Sequence, residues 1–436
     1  MNYQKYLDYK DSGVAWLGEI PSHWKVIKLK YIGHSIIGLT FDPDEVVDNE
    51  DEGILVFRSS NIQNDKLSLL DNVYVNKVIP SKLKTKAGDI LICSRNGSRQ
   101  LIGKNALITE DVEGNTFGAF MTLFRSKYWH FLSKVFQSEI FRAQSGLYLT
   151  STINQLTINT LNNIIVPLPP NEVERNYISN FLDKEITHID NLIDKKQTFI
   201  ETLKEKRISI ISHAVTKGLN KNVKFKVSDI EWLSEVPEHW EEKALKYVCT
   251  INDQTLPETT DPEYELNYVD IGSIDKTLGI VNKEKYIFEE APSRARRIVK
   301  DGDILVSTVR TYLRAIAPVI EPEDNLIVST GFAVIRPQKI NSEYLSFLLR
   351  SKYFVEKVVS MSVGVSYPAI NASALGKIKI PIPEQKEQIQ ISVFLKKESS
   401  SIDKLVELTE KHIEKLQEYK TALISSVVTG KIKVTE

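Results

Sequence analysis

Ser12-Gly-Val-Ala-Trp16-Leu17-Gly-Glu19-Ile-Pro21-Ser-His23-Trp24 returns 216 residues later as Ser228-Asp-Ile-Glu-Trp232-Leu233-Ser-Glu235-Val-Pro237-Glu-His239-Trp240. Leu29-Lys30-Tyr31 recurs at the same offset as Leu245-Lys246-Tyr247. Farther on, Lys86-Ala-Gly88-Asp89-Ile90-Leu91 recurs as Lys300-Asp-Gly302-Asp303-Ile304-Leu305, and Ile164-Ile-Val-Pro167-Leu-Pro169 as Ile378-Lys-Ile-Pro381-Ile-Pro383, both at offset 214. Phe181-Leu182, Ile189-Asp190 and Thr216 return as Phe394-Leu395, Ile402-Asp403 and Thr429, at offset 213. A fixed order at a near-constant offset over the whole length is an internal duplication, and its period is far too long for a solenoid repeat. Between these anchors the copies diverge, at 33–85 against 249–299 and at 98–150 against 312–365. The pattern is one scaffold that presents two different surfaces.

A chain of 436 residues exceeds one ordinary core and suits two or more domains. Its 42% hydrophobic and 26% charged content is that of a globular protein. No run approaches the roughly 18–20 apolar residues of a membrane span, and the start, Met1 to Asp8, has no apolar core of a secretory signal. Cys93 and Cys249 share no metal-type spacing. A cytoplasmic, reduced protein with no membrane partner is expected. The net charge of −1 supplies no basic face, and splitting the chain does not change that. Residues 1–165 carry 18 basic and 17 acidic side chains, residues 217–380 carry 22 and 23. A non-specific DNA binder working alone is usually clearly basic, so any strong DNA binding here needs help from partners.

Within each copy, short runs rich in β-branched and aromatic residues predict strands at 54–57, 89–93, 120–124 and 164–166, then at 267–270, 303–306 and 332–335. Helical spacing predicts helices from Tyr128 to Gln144 and from about Ser342 to Met361. His23 and His239 read as turn histidines beside packed tryptophans, because no other ligand type keeps spacing to them.

After Pro167-Leu-Pro-Pro170 the pattern changes. From Asn171 to Thr216 there is no Gly or Pro, and Leu182, Ile186, Ile189, Ile193, Lys196, Ile200, Leu203, Arg207, Ile210 and Ala214 form one heptad seam. The second copy offers Leu395, Ser399, Ile402, Val406, Thr409, Ile413, Leu416, Lys420, Leu423 and Val427. A helix of about 45 residues is roughly 65 Å long and needs a partner along its apolar stripe. The other copy's helix is that partner, antiparallel because the chain runs domain, helix, domain, helix. The expected fold class is therefore α+β, with two mixed α/β domains in tandem, each followed by a long helix, and the helices forming an antiparallel coiled coil. The expected boundaries are 1–168, 169–217, 218–382 and 383–436.

Catalytic signatures are missing. Gly97…Gly103-Lys104-Asn105 has the wrong spacing and ending for a phosphate-binding loop. Leu168-Pro169-Pro170-Asn171 lacks the flanking residues of an amino-methyltransferase loop, and Glu205-Lys206 and Asp89 do not form a metal-nuclease set. Gly-Asp before an apolar run reads as an ordinary turn into a strand. The segments after it, Ser94-Arg95-Asn96-Gly97-Ser98-Arg99-Gln100 and Ser307-Thr308-Val309-Arg310-Thr311-Tyr312-Leu313-Arg314, are polar and carry arginines. Arg suits guanine and Asn or Gln suits adenine in the major groove, while solvated loops of ordinary composition remain the alternative.

These motifs resemble the specificity subunits of type I restriction–modification enzymes. The resemblance rests on Gly18-Glu-Ile-Pro-Ser-His-Trp24 and its echo at 235–240, the Gly-Asp-Ile-Leu turns, the Pro-Leu/Ile-Pro lead into a long helix, and Glu384-Gln385 with Gln388. The first copy departs from it, with Asn171-Glu172-Val-Glu174-Arg175 lacking the Gln. The resemblance implies two target-recognition domains, each reading half of a split, asymmetric site in double-stranded DNA. It also implies two methyltransferase subunits and two restriction subunits as partners. Those partners carry S-adenosylmethionine, ATP and Mg²⁺, with no catalytic, cofactor or metal site in this chain. The residues expected to face DNA are Arg58, Ser60, Asn61, Ser94, Arg95, Asn96, Ser98, Arg99, Gln100, Ser145, Tyr148 and Thr150 in the first copy. In the second they are Ser273, Arg294, Arg296, Arg310, Tyr312, Arg314, Ser362, Ser366 and Tyr367. The recognition chain of another restriction system, a coiled-coil scaffold for other proteins, and an enzyme in its own right are the alternatives. A rod of roughly 65 Å spans at most about two turns of duplex at about 34–36 Å each. Deleting one heptad from both helices is expected to change the spacing of the recognised site and leave the half-sites alone; methylome sequencing that finds a changed half-site at unchanged spacing overturns this division of labour.

Overall fold

The computed structural model describes residues 4–147, 154–275, 279–364 and 366–434. Among them are eight α-helices: α1 (Trp129–Gln137), α2 (Glu139–Leu147), α3 (Ile158–Asn163), α4 (Glu172–Lys217), α5 (Ser342–Leu349), α6 (Lys352–Ser360), α7 (Ala372–Gly376) and α8 (Gln385–Val428). None is long and apolar enough to cross a membrane. The chain divides into two compact units, Met1–Lys196 with Glu410–Glu436, and Gln197–Thr409. Each unit thus takes half of both long helices, which a division by sequence alone does not reveal.

In the first unit a four-stranded antiparallel sheet runs in the order Asn105–Leu107, Ile90–Cys93, Met121–Arg125, His34–Ile37. The strand after the Gly-Asp turn is buried on both sides, so it reads as a continuous apolar run rather than an alternation. Ile90 and Ile92 pack against the helices, while Leu91 and Cys93 face a second sheet. The second unit repeats the sheet as Cys249–Ile251, Phe332–Pro337, Ile304–Ser307, Ile316–Pro318, with Ile304 and Val306 toward the helices and Leu305 away from them.

The second sheets diverge. In the first unit the order is Thr116–Phe117, Ile54–Phe57, Tyr74–Val75, Val46–Val47; in the second it is Glu284–Ile287, Glu265–Val269, Leu326–Ser329, Ala295–Ile298. Both keep one parallel pairing, between Thr116–Phe117 and Val56–Phe57 and between Leu326–Val328 and Asn267–Val269. The remaining edge strand joins on opposite sides of that pair. The divergent stretches of sequence hold these second sheets and their loops, together with outer and central strands of the first sheets and the helix pairs α1–α2 and α5–α6.

The Gly-Asp turn is more than a turn. Asp89 is buried and accepts Arg125 Nε at 2.7 Å, Arg125 Nη2 at 2.6 Å and the Lys86 amide at 2.8 Å. Asp303 repeats this with Arg336 Nε at 2.9 Å, Arg336 Nη2 at 2.8 Å and the Lys300 amide at 2.7 Å. A buried carboxylate needs such pairing, and a bidentate guanidinium fits it best. Each pair pins the end of the sheet where its two central strands meet.

His23 and His239 also find their partners. Trp24 Nε1 donates to Glu174 at 2.9 Å, His23 Nε2 lies 2.9 Å from the same carboxylate, and the Tyr6 hydroxyl donates to it at 2.8 Å. Glu387 takes Trp240 Nε1 at 3.1 Å and stands 2.9 Å from His239 Nε2. The aromatic opening of each copy is thereby fastened to the first turn of its long helix, where a carboxylate also suits the helix dipole. The missing Gln of the first copy has a substitute. Gln388 donates to the Pro383 carbonyl, whereas Arg175 donates to the Pro169 and Pro170 carbonyls and stacks on Tyr128.

The expected helices at 128–144 and 342–361 are each two. Ser138 and Ser351 are extended, and their hydroxyls bond back to the Val135 and Leu348 carbonyls. The exposed amide of the next helix is then capped from a long helix. In the first unit Ser425 accepts from Glu139, and in the second Ser212 accepts from Lys352, both at 3.1 Å. A serine hydroxyl filling an orphan amide is a cap supplied from a distance, which periodicity cannot display.

The heptad seams are the buried faces of α4 and α8. In the first unit Leu182, Ile186, Ile189 and Ile193 pack with Leu423, Ile424, Val427 and Val428. Asp190 meets Lys420 while Lys196 reaches His412, so the helices run antiparallel. In the second unit Ala214 and Val215 share a core with Ile391 and Leu395, and Arg207 bonds Asp403 at 2.7 Å, again antiparallel. The polar interruptions Arg207 and Lys420 are therefore ion-pairing positions that hold register. Burial alone would push the Asp190 carboxyl up, but hydrogen bonds from Lys420 and Lys66 outweigh it and hold it below the ordinary carboxylate range. A depressed carboxyl stabilises above its unfolded value of about 3.9 and loses that contribution as pH falls through its folded value. Asp190→Asn is expected to cost roughly 2 kcal/mol at pH 7 and progressively less below about pH 4, as followed by chemical denaturation; an undiminished difference in acid contradicts the assignment.

Candidate nucleic-acid interface

The pinned end of each sheet has an opposite end, where the central strands run out into the divergent loops. In the first unit both the Ser94 and Arg95 amides bond the Phe120 carbonyl at 3.0 Å. The Arg95 guanidinium lies over the Phe120 ring at 5.2 Å, and that ring is 59% exposed. Asn96 donates to Ser59 Oγ at 3.2 Å, Asn154 donates to the Gly97 carbonyl at 2.9 Å, and Arg99 reaches the Gly146 carbonyl at 3.4 Å. The loops at 58–61, 94–101 and 154–156 and the end of α2 therefore converge on one surface, with Arg95, Ser98, Arg99 and Gln100 exposed. Arg58 is tied to Asp71 at 3.0 Å, yet its Nε and the Ser60 hydroxyl are enclosed without a hydrogen-bond partner.

The second unit builds the corresponding surface differently. Val309 bridges to Ala369, and the Thr311 hydroxyl donates to Ser362 Oγ at 2.7 Å. Arg310 and Arg314 flank a single 3₁₀ turn, and both hold the left-handed conformation, φ 50° and 56°. That conformation costs an L-residue roughly 1–2 kcal/mol, and such strain gathers at functional sites. Arg310 stacks over Tyr367 at 4.8 Å, with Tyr367 65% exposed and Tyr312, Arg314 and Ser366 exposed around it. Arg294 is exposed, and its carbonyl accepts from the Thr330 amide beside this cluster. Arg296 does not join it, for its guanidinium packs on Phe288 at 4.5 Å.

Four of the sequence-derived residues belong inside the protein. Asn61 is fully buried and spends its amide on Ser68, Asp71, Asn72 and the Arg58 amide. Ser94 bonds Phe120 and Thr122, Ser145 bonds the Arg142 carbonyl, and Ser273 bonds Asp270. These are corrections: the four hold the loops in shape and present nothing to a ligand. Tyr148 and Thr150 lie outside the described residues. Phe120 was missed because it reads as the first residue of a strand; the strand starts at Met121, which leaves the Phe120 ring in solvent.

Both cysteines are buried, and burial pushes the thiols up, to about 11 for Cys93 and about 12 for Cys249. Neither is a thiolate nucleophile at neutral pH. Among the described residues no group of three or more His, Cys, Asp or Glu could hold a metal ion. The surface offers flat cationic–aromatic platforms, hydroxyls and amides, the set that reads base edges and phosphates.

Residues 237–418 match the family described as the type I restriction modification DNA specificity domain. The type I restriction enzyme MjaVIII specificity subunit of Methanocaldococcus jannaschii is 26% identical over 430 residues, 95% of this chain and 94% of that one. A solved structure of the type I R-M system aligns with a TM-score of 0.69 at 17% identity, covering 95% of this chain and 99% of its own. The HsdS subunit of Thermoanaerobacter tengcongensis aligns with a TM-score of 0.52 at 16% identity, covering 95% and 98%. With the duplicated scaffold, the paired long helices and two unlike Arg-bearing surfaces, these likenesses agree: over nearly its whole length the chain is similar to type I restriction–modification specificity subunits.

Proposed function

We propose that this chain is the DNA-reading subunit of a type I restriction–modification complex, each unit reading one half of a bipartite, asymmetric site. The observation that carries this is the exposed arginine laid on an exposed aromatic ring at the same end of the same sheet in both units, Arg95 on Phe120 and Arg310 on Tyr367, within otherwise dissimilar loops. An arginine held in this way can offer both guanidinium nitrogens to guanine O6 and N7. Different loops on one scaffold give two half-sites. The target-recognition domains span 1–168 and 218–382, and the helices of 169–217 and 383–436 set the spacing and dock the methyltransferase. The chain is cytoplasmic and carries no chemistry of its own. Two methyltransferase subunits and two restriction subunits bring S-adenosylmethionine, ATP and Mg²⁺, and they supply the phosphate contacts that a nearly neutral chain lacks.

The test is methylome sequencing of DNA exposed to the chain together with the products of its neighbouring genes. A bipartite motif is expected, and exchanging residues 94–101 for another loop should alter one half-site while leaving the other unchanged. Absence of methyltransferase association, or an undivided motif, overturns the reading. Arg310→Gly separates function from stability. Relief of the left-handed strain is worth about 1–2 kcal/mol against a glycine entropy cost of roughly 0.5–1 kcal/mol. The melting midpoint is therefore expected to hold or rise, while site-specific DNA affinity falls about tenfold.

A further inference from the structure

The pinned end of the sheet, opposite the reading loops, also carries an exposed feature, and there the two units agree. In the first unit the turn Leu29–Tyr31 buries Leu29 and leaves Tyr31 70% exposed, with Lys30 Nζ 5.3 Å from its ring centre. In the second, Leu245–Tyr247 buries Leu245 and leaves Tyr247 63% exposed, with Lys246 Nζ at 5.0 Å. The chain leaving the Arg125 or Arg336 strand lies alongside. Ser126 Oγ donates to the Ile32 carbonyl, and the Gln338 and Lys339 amides donate to the Val248 carbonyl at 2.9 and 3.1 Å. That places exposed Lys127 beside Tyr31 and exposed Lys339 beside Tyr247. In the first unit the two segments enclose an open cleft of about 360 Å³ lined by Tyr31, His34, Lys127 and Tyr128 among others.

A tyrosine that is two-thirds exposed contributes little to folding, yet it stands in the same turn, between lysines, in both units. The reading surfaces have diverged while this one has not. DNA held at the reading loops lies at the far end of strands of four to six residues, roughly 13–20 Å away. A partner that sees the same surface twice is one that binds in two copies. Tyrosines anchor protein interfaces well because they bury a large rigid ring and still hydrogen-bond, and flanking lysines select carboxylates. We propose that the Leu-Lys-Tyr turn of each unit seats one copy of a protein subunit that the chain takes up twice, through a face that surrounds an apolar seat with acidic side chains. The inference rests on the proposed function, in which the methyltransferase is such a subunit.

The full chain, co-expressed with a type I methyltransferase subunit from its own organism, provides the test by native mass spectrometry and titration. The wild type should carry two copies. Tyr31→Ser and Tyr247→Ser should each weaken the uptake of one copy at least about tenfold, and the double variant should weaken both. Lys127→Glu with Lys339→Glu tests the same face at exposed positions, where folding is not at issue. Two copies at wild-type affinity in both double variants overturn the proposal, as does loss of DNA affinity with both copies retained, which assigns the lysines to phosphate. A wild type that takes up no methyltransferase instead overturns the functional reading, and this inference with it.

Discussion

A carboxylate that cannot be solvated organises each half of this protein. Asp89 and Asp303 sit at about 1% exposure, each gripped by two guanidinium nitrogens and a backbone amide. Losing one partner of such a buried pair would leave an uncompensated charge, a penalty of roughly 3–5 kcal/mol. The pair therefore fixes how the two central strands meet. Everything beyond the strands' other end can vary, because the register has been set before the chain reaches the loops.

That asymmetry explains what could be read in the sequence. The anchors that recur at offsets 213–216 are the Gly-Asp strands, the Trp and Glu of each fastening and the heptad seams, legible because the residues themselves repeat. Gly-Asp-Ile-Leu was visible as a turn, but its arginine comes 36 or 33 residues later, and nothing local announces it. The breaks at Ser138 and Ser351 were hidden for the same reason, since the caps come from residues 286 and 140 positions away. Among the loop residues, composition could not tell Asn61, which spends every polar atom inside the protein, from Arg95, which spends its guanidinium at the surface. Polar loop residues serve both purposes.

The two proposed reading surfaces reach similar ends by different means. Arg95 gains its position where the strands end, from the bonds of its own amide and the Ser94 amide to the Phe120 carbonyl. Arg310 gains its position from a strained backbone, with the Thr311–Ser362 bond beneath it keeping the turn closed. Preorganised side chains lose less entropy on binding, and here that advantage is obtained once through backbone hydrogen bonds and once against backbone strain.

The sharing of both long helices between the units bears on how the protein is made. The second unit is one continuous stretch, Gln197–Thr409, whereas the first draws its last wall from Glu410–Glu436. Glu139 waits for Ser425, Asp190 for Lys420, and Gln4 pairs with Lys433. Domains usually mature in the order of their synthesis, N-terminal first. Here the N-terminal unit is the last to close. Its apolar seam of Leu182, Ile186, Ile189 and Ile193 lacks Leu423, Ile424, Val427 and Val428 until residues 410–436 have been made, and contacts of such long sequence separation are slow to form. A chain cut short before residue 410 keeps every residue of the second unit and loses one wall of the first, so closure of the first unit depends on the final turns of α8.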